Sequence, residues 1–106
     1  MASQTPFPIR LKQARKAKSF SQKELGMRIG LDINTASSRM NHYETGRHLP
    51  DYDLAKKLSE ELDVPVAFFY CDSDEMAQLL ISFHKLSTEQ RKKVFEFIST
   101  QKDVEY

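Results

Sequence analysis

Punctuation is scarce in this chain. Its 106 residues hold three glycines and four prolines, so few points force a break or a left-handed turn. No run alternates apolar and polar residues over a strand's length, which argues against a sheet. There is one cysteine, Cys71, which excludes an intrachain disulfide and fits a reducing cytoplasm. Following FFY, it reads as a semi-buried core thiol. The longest apolar stretch, VPVAFFY at 64–70, is far too short to cross a bilayer. The first ten residues, MASQTPFPIR, lack the apolar run of a signal peptide. His42, His48, His84 and Cys71 fall at no metal-ligand spacing, and no glycine-rich phosphate loop is present. Serines, histidines and acids occur in no recognisable catalytic arrangement. The expectation is a protein without a membrane segment, metal, cofactor or enzymatic activity.

What is present is ordinary in bulk and uneven in place. Hydrophobic residues make up 40% and charged residues 29%, as in a globular domain. A chain of this size buries roughly 60–70% of its unfolded surface, so a core is feasible without staples. The net charge of +1 hides a split. Residues 1–50 carry nine Lys/Arg against three acids, a balance of +6, and residues 51–106 carry seven against twelve, a balance of −5. A basic half joined to an acidic half suggests that only the first meets a polyanion.

Periodicity and capping signals predict an all-helical chain. A first helix starts near Pro8, where proline is tolerated, and runs to Ala17. Ser21 with Glu24 forms a capping box, flanked by Phe20 and Leu25 at the staple positions, and that helix ends near Gly30. Asp32 is the next N-cap, opening a helix from about Ile33 to Thr45 that Gly46 ends. Further helices are expected over about Asp53 to Leu62, with Leu54, Leu58 and Leu62 as core stripe, and over Pro65 to Phe69. After CDSD, with Ser73 or Asp74 as cap, a helix over Glu75 to Lys85 carries Met76, Leu79, Leu80 and Phe83 at i, i+3, i+4 and i+7. Ser87 and Gln90 make a second capping box for a last helix reaching about Thr100.

The stretch ASSRMNHYETGRHLP, residues 36–50, has two faces. Ala36, Met40 and Tyr43 recur at helical steps and predict packing on the preceding helix, together with Ile33. The opposite side presents Ser37, Ser38, Asn41 and His42, with Arg39 at its edge. These are small hydrogen-bonding groups, and the first acid of this helix is Glu44. Such side chains can read base edges, Arg on guanine and Asn on adenine, and their small size lets the backbone sit deep in a groove.

These residues resemble a family. LKQARKAKSFSQKELGMRIG followed by YETGRHLP is similar to the Xre family, the Cro and lambda-repressor-like DNA-binding domains. Ser21, Gln22 and Leu25 match its helix 2 signature, Gly30 its turn, and Met40, Asn41, Tyr43, Glu44, Gly46 and Pro50 its recognition segment. Gly26 stands where alanine is usual, a small change. Asn41 replaces the usual serine. The gap from Gly30 to Met40 is about four residues longer than the family norm, close to one helical turn. It corresponds to a recognition helix extended at its start, or else to a longer turn before it.

The resemblance implies a five-helix lambda-repressor-like DNA-binding domain over 8–70, followed by a C-terminal helical pair over 74–101. It implies a transcriptional regulator, a repressor, binding double-stranded DNA. The DNA-facing residues expected are Gln22, Asn34, Thr35, Ser37, Ser38, Arg39, Asn41, His42 and Arg47. Gln22 would touch a phosphate or brace the first base contact, Arg47 and His48 would reach phosphate, and Arg10, Lys12, Lys16 and Lys18 would add non-specific attraction. Glu44 is expected to be structural, paired with Arg15 or another base of the first helix. In the last helix Val94, Phe95, Phe97 and Ile98 span about 160° at 100° per residue. That broad apolar surface implies a homodimer on a near-palindromic operator. The alternative is a protein-interaction module, such as an antitoxin neutralising a partner protein through the acidic half.

Overall fold

The computed structural model describes residues 5–101. Among them the regular elements are α1 (Phe7–Ala17), α2 (Gln22–Arg28), α3 (Ala36–Thr45) and α4 (Tyr52–Leu62). A 3-10 turn (Val66–Tyr70), α5 (Asp74–His84) and α6 (Thr88–Ser99) complete the series. The chain is all-helical, as the scarcity of breakers and of alternation predicts.

Most helix starts follow the capping chemistry. Ser21 Oγ accepts from the Glu24 amide at 2.9 Å, but the reciprocal half of the box is replaced: the Glu24 carboxylate accepts from Arg28 one turn later, at 3.1 Å. Asp51 accepts from the Leu54 amide and starts α4 one residue before the expected Asp53. Ser73, rather than Asp74, caps α5. Ser87 and Gln90 make the full reciprocal box of α6.

One core holds α1 to α4 together. Phe7, Leu11 and Ala14 of α1 meet Leu25, Met40, Leu58, Leu62 and Phe69, all buried. Phe7 and Phe69 rings lie 4.9 Å apart. Each Leu, Met or Phe side chain among them contributes about 1.5–3 kcal/mol on burial. The segment at 65–69 is expected as a helix and is a tighter 3-10 turn instead, its N-terminal residue Pro65 being extended. Phe68 and Phe69 are thereby driven into the core, and Cys71 beyond them is half-buried.

The recognition segment departs from expectation at its start. Residues 33–35 form a turn, and α3 begins only at Ala36. The Asp32 carboxylate accepts from the Asn34 amide at 2.7 Å, and its carbonyl accepts from Thr35 and Ala36. Asp32 therefore closes a turn instead of capping a longer helix, and the extra residues lengthen that turn. Ile33, expected to pack on α2, is 53% exposed as a result.

The C-terminal pair differs in its faces. On α5 the buried residue is Ala77, with Ile81 packed beside it, whereas Met76 and Leu79 point outward. Apolar residues surround this helix on most sides, so periodicity alone could not choose the docking face. The next helix, α6, contributes no buried residue. It leans on α5 through an edge-on contact of Phe83 with Phe95, 5.5 Å between centroids. Arg91 also donates from α6 to the final carbonyls of α5, Phe83 and His84, at 3.1 and 2.8 Å. Phe95, Phe97 and Ile98 stay 60%, 67% and 42% exposed. The body measures 53 × 33 × 22 Å, with a radius of gyration of 16.0 Å.

Candidate nucleic-acid interface

α3 is seated by its apolar side. Ala36, Met40 and Tyr43 are buried against α2 and the core, as their spacing predicts. The approach is close enough to involve Gly26 of α2. A Cβ built there would lie 2.8 Å from the Ala36 Cβ and 2.9 Å from the Ala36 carbonyl oxygen. The glycine is thus required by α3 rather than a small change from alanine. At the far end Gly46, at φ 79°, adopts the left-handed conformation, and the Arg47 amide donates to the His42 carbonyl at 3.0 Å.

A polar brace locks the same seat. The Arg15 guanidinium holds both Glu44 carboxylate oxygens, Nε to Oε2 at 2.5 Å and Nη2 to Oε1 at 3.0 Å. Its third arm donates to the Phe20 carbonyl at 2.8 Å. Hydrogen bonding to Glu44 raises the Arg15 pKa above its ordinary value, against the opposing effect of burial. Gln22 Nε2 then donates to Glu44 Oε1 at 3.1 Å and to Asn41 Oδ1 at 3.3 Å. Four side chains so connect α1, α2 and α3. The Glu44 side chain is only 3% exposed, which withdraws the one carboxylate of α3 from its outer surface.

That outer surface is carpeted with small groups. Ser38, Asn41 and Thr45 are exposed and share its centre, with Ser37 and half-buried His42 on either side. The Ser38 and Thr45 hydroxyls donate to the Thr35 and Asn41 carbonyls of the preceding turn, leaving oxygen lone pairs outward. Asn41 accepts from Gln22, which leaves its amide nitrogen to donate. Past the helix end, Arg47 Nη1 lies 3.4 Å from His42 Nε2, and the His42 and His48 rings meet edge-on at 5.2 Å.

The expected site residues thus fall into three places. Gln22, Ser37, Ser38, Asn41, His42 and Arg47 come together on or beside one face of α3. Asn34 and Thr35 are exposed in the turn ahead of it. Arg39 sits apart on the flank, its Nη2 bonded to the Tyr43 hydroxyl at 3.1 Å, in a shallow groove bordered by Gly30, Leu49 and Pro50. Thr45 is an addition: the 3.6-residue period already places it with Ser38 and Asn41, but its position next to the terminating glycine masked it.

Residues 9–67 match a family of helix-turn-helix domains. The chain belongs to the helix-turn-helix family. The match covers α1 to α4, including the brace and the α2–α3 unit, in keeping with the Xre resemblance of the sequence. A comparison with curated proteins found no match. Among solved structures, this helix-turn-helix chain is similar to the crystal structure of the transcriptional regulator BswR. The two share 41% identity and a TM-score of 0.87, over 90% of this chain and 94% of that one. The likeness therefore extends beyond the family segment into the C-terminal helices. No helix among the described residues is long and apolar enough to cross a membrane.

Proposed function

We propose that this helix-turn-helix protein is a sequence-specific DNA-binding transcriptional regulator, a repressor that acts as a homodimer on a near-palindromic operator. The observation that carries the reading is the outer face of α3. Its exposed groups are small donors and acceptors, and its carboxylate is pulled inward by Arg15. A major groove about 12 Å wide admits a helix with such a face, and phosphates do not repel it. Ser38 and Asn41 contact base edges, with Ser37 and His42 beside them. Asn34 and Thr35 enter at the leading turn, Gln22 fixes Asn41, Arg47 contacts phosphate, and Arg39 reaches the groove from the flank. The similarity to a transcriptional regulator over both halves of the chain supports the same role.

The exposed apolar residues of α6 support a second copy of the chain as partner, because large apolar side chains gathered on one helix are a usual interface signature. Residues 8–70 then bind DNA, and 74–101 join the protomers. Selection of bound duplexes from a random library by the full chain tests the reading. A consensus of two inverted half-sites, centred about 10–10.5 base pairs or a multiple apart, is the expected result. Absence of any enriched sequence would overturn it and favour an interaction module that acts on a partner protein.

A further inference from the structure

We infer that the cleft between α1 and α5 is a binding site for a small organic anion with an apolar body. The cleft measures about 480 Å³, inside the roughly 300–1,000 Å³ range of small-molecule sites. Its walls come from both halves of the chain: Ala14 from α1, Leu62 from α4, Phe68 from the 3-10 turn, and Ala77 and Ile81 from α5. These residues are apolar, so the floor favours a hydrocarbon or aromatic body.

Cations around the cleft set the charge of the ligand. Lys18 and Lys85 stand exposed at its rim, and neither has an ion-pair partner among the described residues. The two acids that border the cleft have partners of their own: Asp74 pairs with Arg10 at 3.0 Å, and Asp63 lies 3.2 Å from the His84 ring, a contact that is an ion pair only when the imidazole is protonated. Arg10 itself is buried against the cleft wall. It uses Nε on the Cys71 carbonyl and Nη1 on Gln13 and Asp74, so Nη2 remains to donate. An apolar floor beneath two uncommitted ammonium groups and one spare guanidinium nitrogen matches an amphipathic carboxylate or sulfonate, and leaves a neutral alcohol of equal length without its charge contacts.

Decanoate and decanol, each kept below its aggregation threshold, serve as probes. With isotope-labelled full chain, decanoate is expected to shift the amide signals of Ala14, Phe68, Ala77 and Ile81 saturably. Decanol should bind at least about tenfold more weakly, and the double variant Lys18→Glu, Lys85→Glu should lose about tenfold in decanoate affinity. Both substituted positions are exposed, and the same spectra report that the variant is folded. Shifts confined to Phe95, Phe97 and Ile98 would overturn the site by placing the probe on α6. Equal binding of decanol and decanoate, or an indifferent double variant, would overturn the anion assignment.

Discussion

Arg15 grips both carboxylate oxygens of Glu44 across 29 residues of sequence. The two side chains are 11% and 3% exposed, so removing either one strands the other charge in the interior. Glu44→Ala is expected to cost about 3 kcal/mol in a denaturant titration. The paired replacement Arg15→Met, Glu44→Leu should recover most of that loss, because apolar isosteres avoid the stranded charge. A single substitution costing under about 1 kcal/mol would show that the pair is solvated and does not brace α3.

Gly26→Ala sets packing against propensity. Alanine favours the helical state by about 1 kcal/mol over glycine. Here its methyl would meet the Ala36 Cβ at 2.8 Å, and overpacking costs about 1–3 kcal/mol. Net destabilisation, read as a lower melting temperature, is expected together with weakened DNA binding as α3 is pushed outward. A higher melting temperature would mean that α2 and α3 do not approach this closely.

Substitutions on the two parts of the interface should behave differently on DNA. Asn41→Ala is expected to cost about 1–3 kcal/mol on the selected operator and to relax preference at one base position. Arg47→Ala should weaken all sequences about equally and reduce the salt dependence by about one counterion. Competition assays at several salt concentrations separate the two patterns. Their exchange between the variants would reverse the roles given to helix face and loop.

Phe97 is the most exposed of the large apolar residues on α6. Phe97→Asp is expected to shift the chain from dimer to monomer in light scattering. Monomer stability should change by under about 0.5 kcal/mol, since no core contact is lost. A dimer that persists at micromolar concentration would move the interface elsewhere.

Burial pushes the Tyr70 phenol above its ordinary pKa of 10.0. The folded chain then holds this proton more tightly than the unfolded one. The group's contribution to stability is complete below the unfolded value and is lost as pH rises through the folded value. The ultraviolet difference titration of wild type against Tyr70→Phe should give a midpoint above 10. A midpoint at or below 10 would show that Tyr70, half exposed, is not desolvated by the Phe7 ring that lies 5.5 Å from it.

The parts of this fold that were legible in the sequence are those written in neighbouring residues. Ser21, Ser73 and the Ser87–Gln90 pair announce helix starts because capping is a contact across three residues. Ala36, Met40 and Tyr43 announce the seat of α3 because burial follows helical period. The Arg15–Glu44 pair was in reach because a charge on an otherwise acid-free helix needs a base. Other features depend on distance in space. Helical period predicts Ile33 inside, and only the Asp32 turn, which delays the helix, puts it outside. The docking side of α5 depends on what stands opposite, and it is Ala77, not Met76 or Leu79, that faces the core. The need for glycine at 26 comes from a backbone ten residues away.

A compact chain of this length has a radius of gyration of about 13 Å, against the 16.0 Å found here. The excess fits α6, which buries no residue and leans only on the end of α5. In solution such an outline drags more water than a sphere of the same mass and tumbles slowly about its short axes. A single copy therefore diffuses like a heavier protein, and two copies joined at their arms would diffuse like a rod.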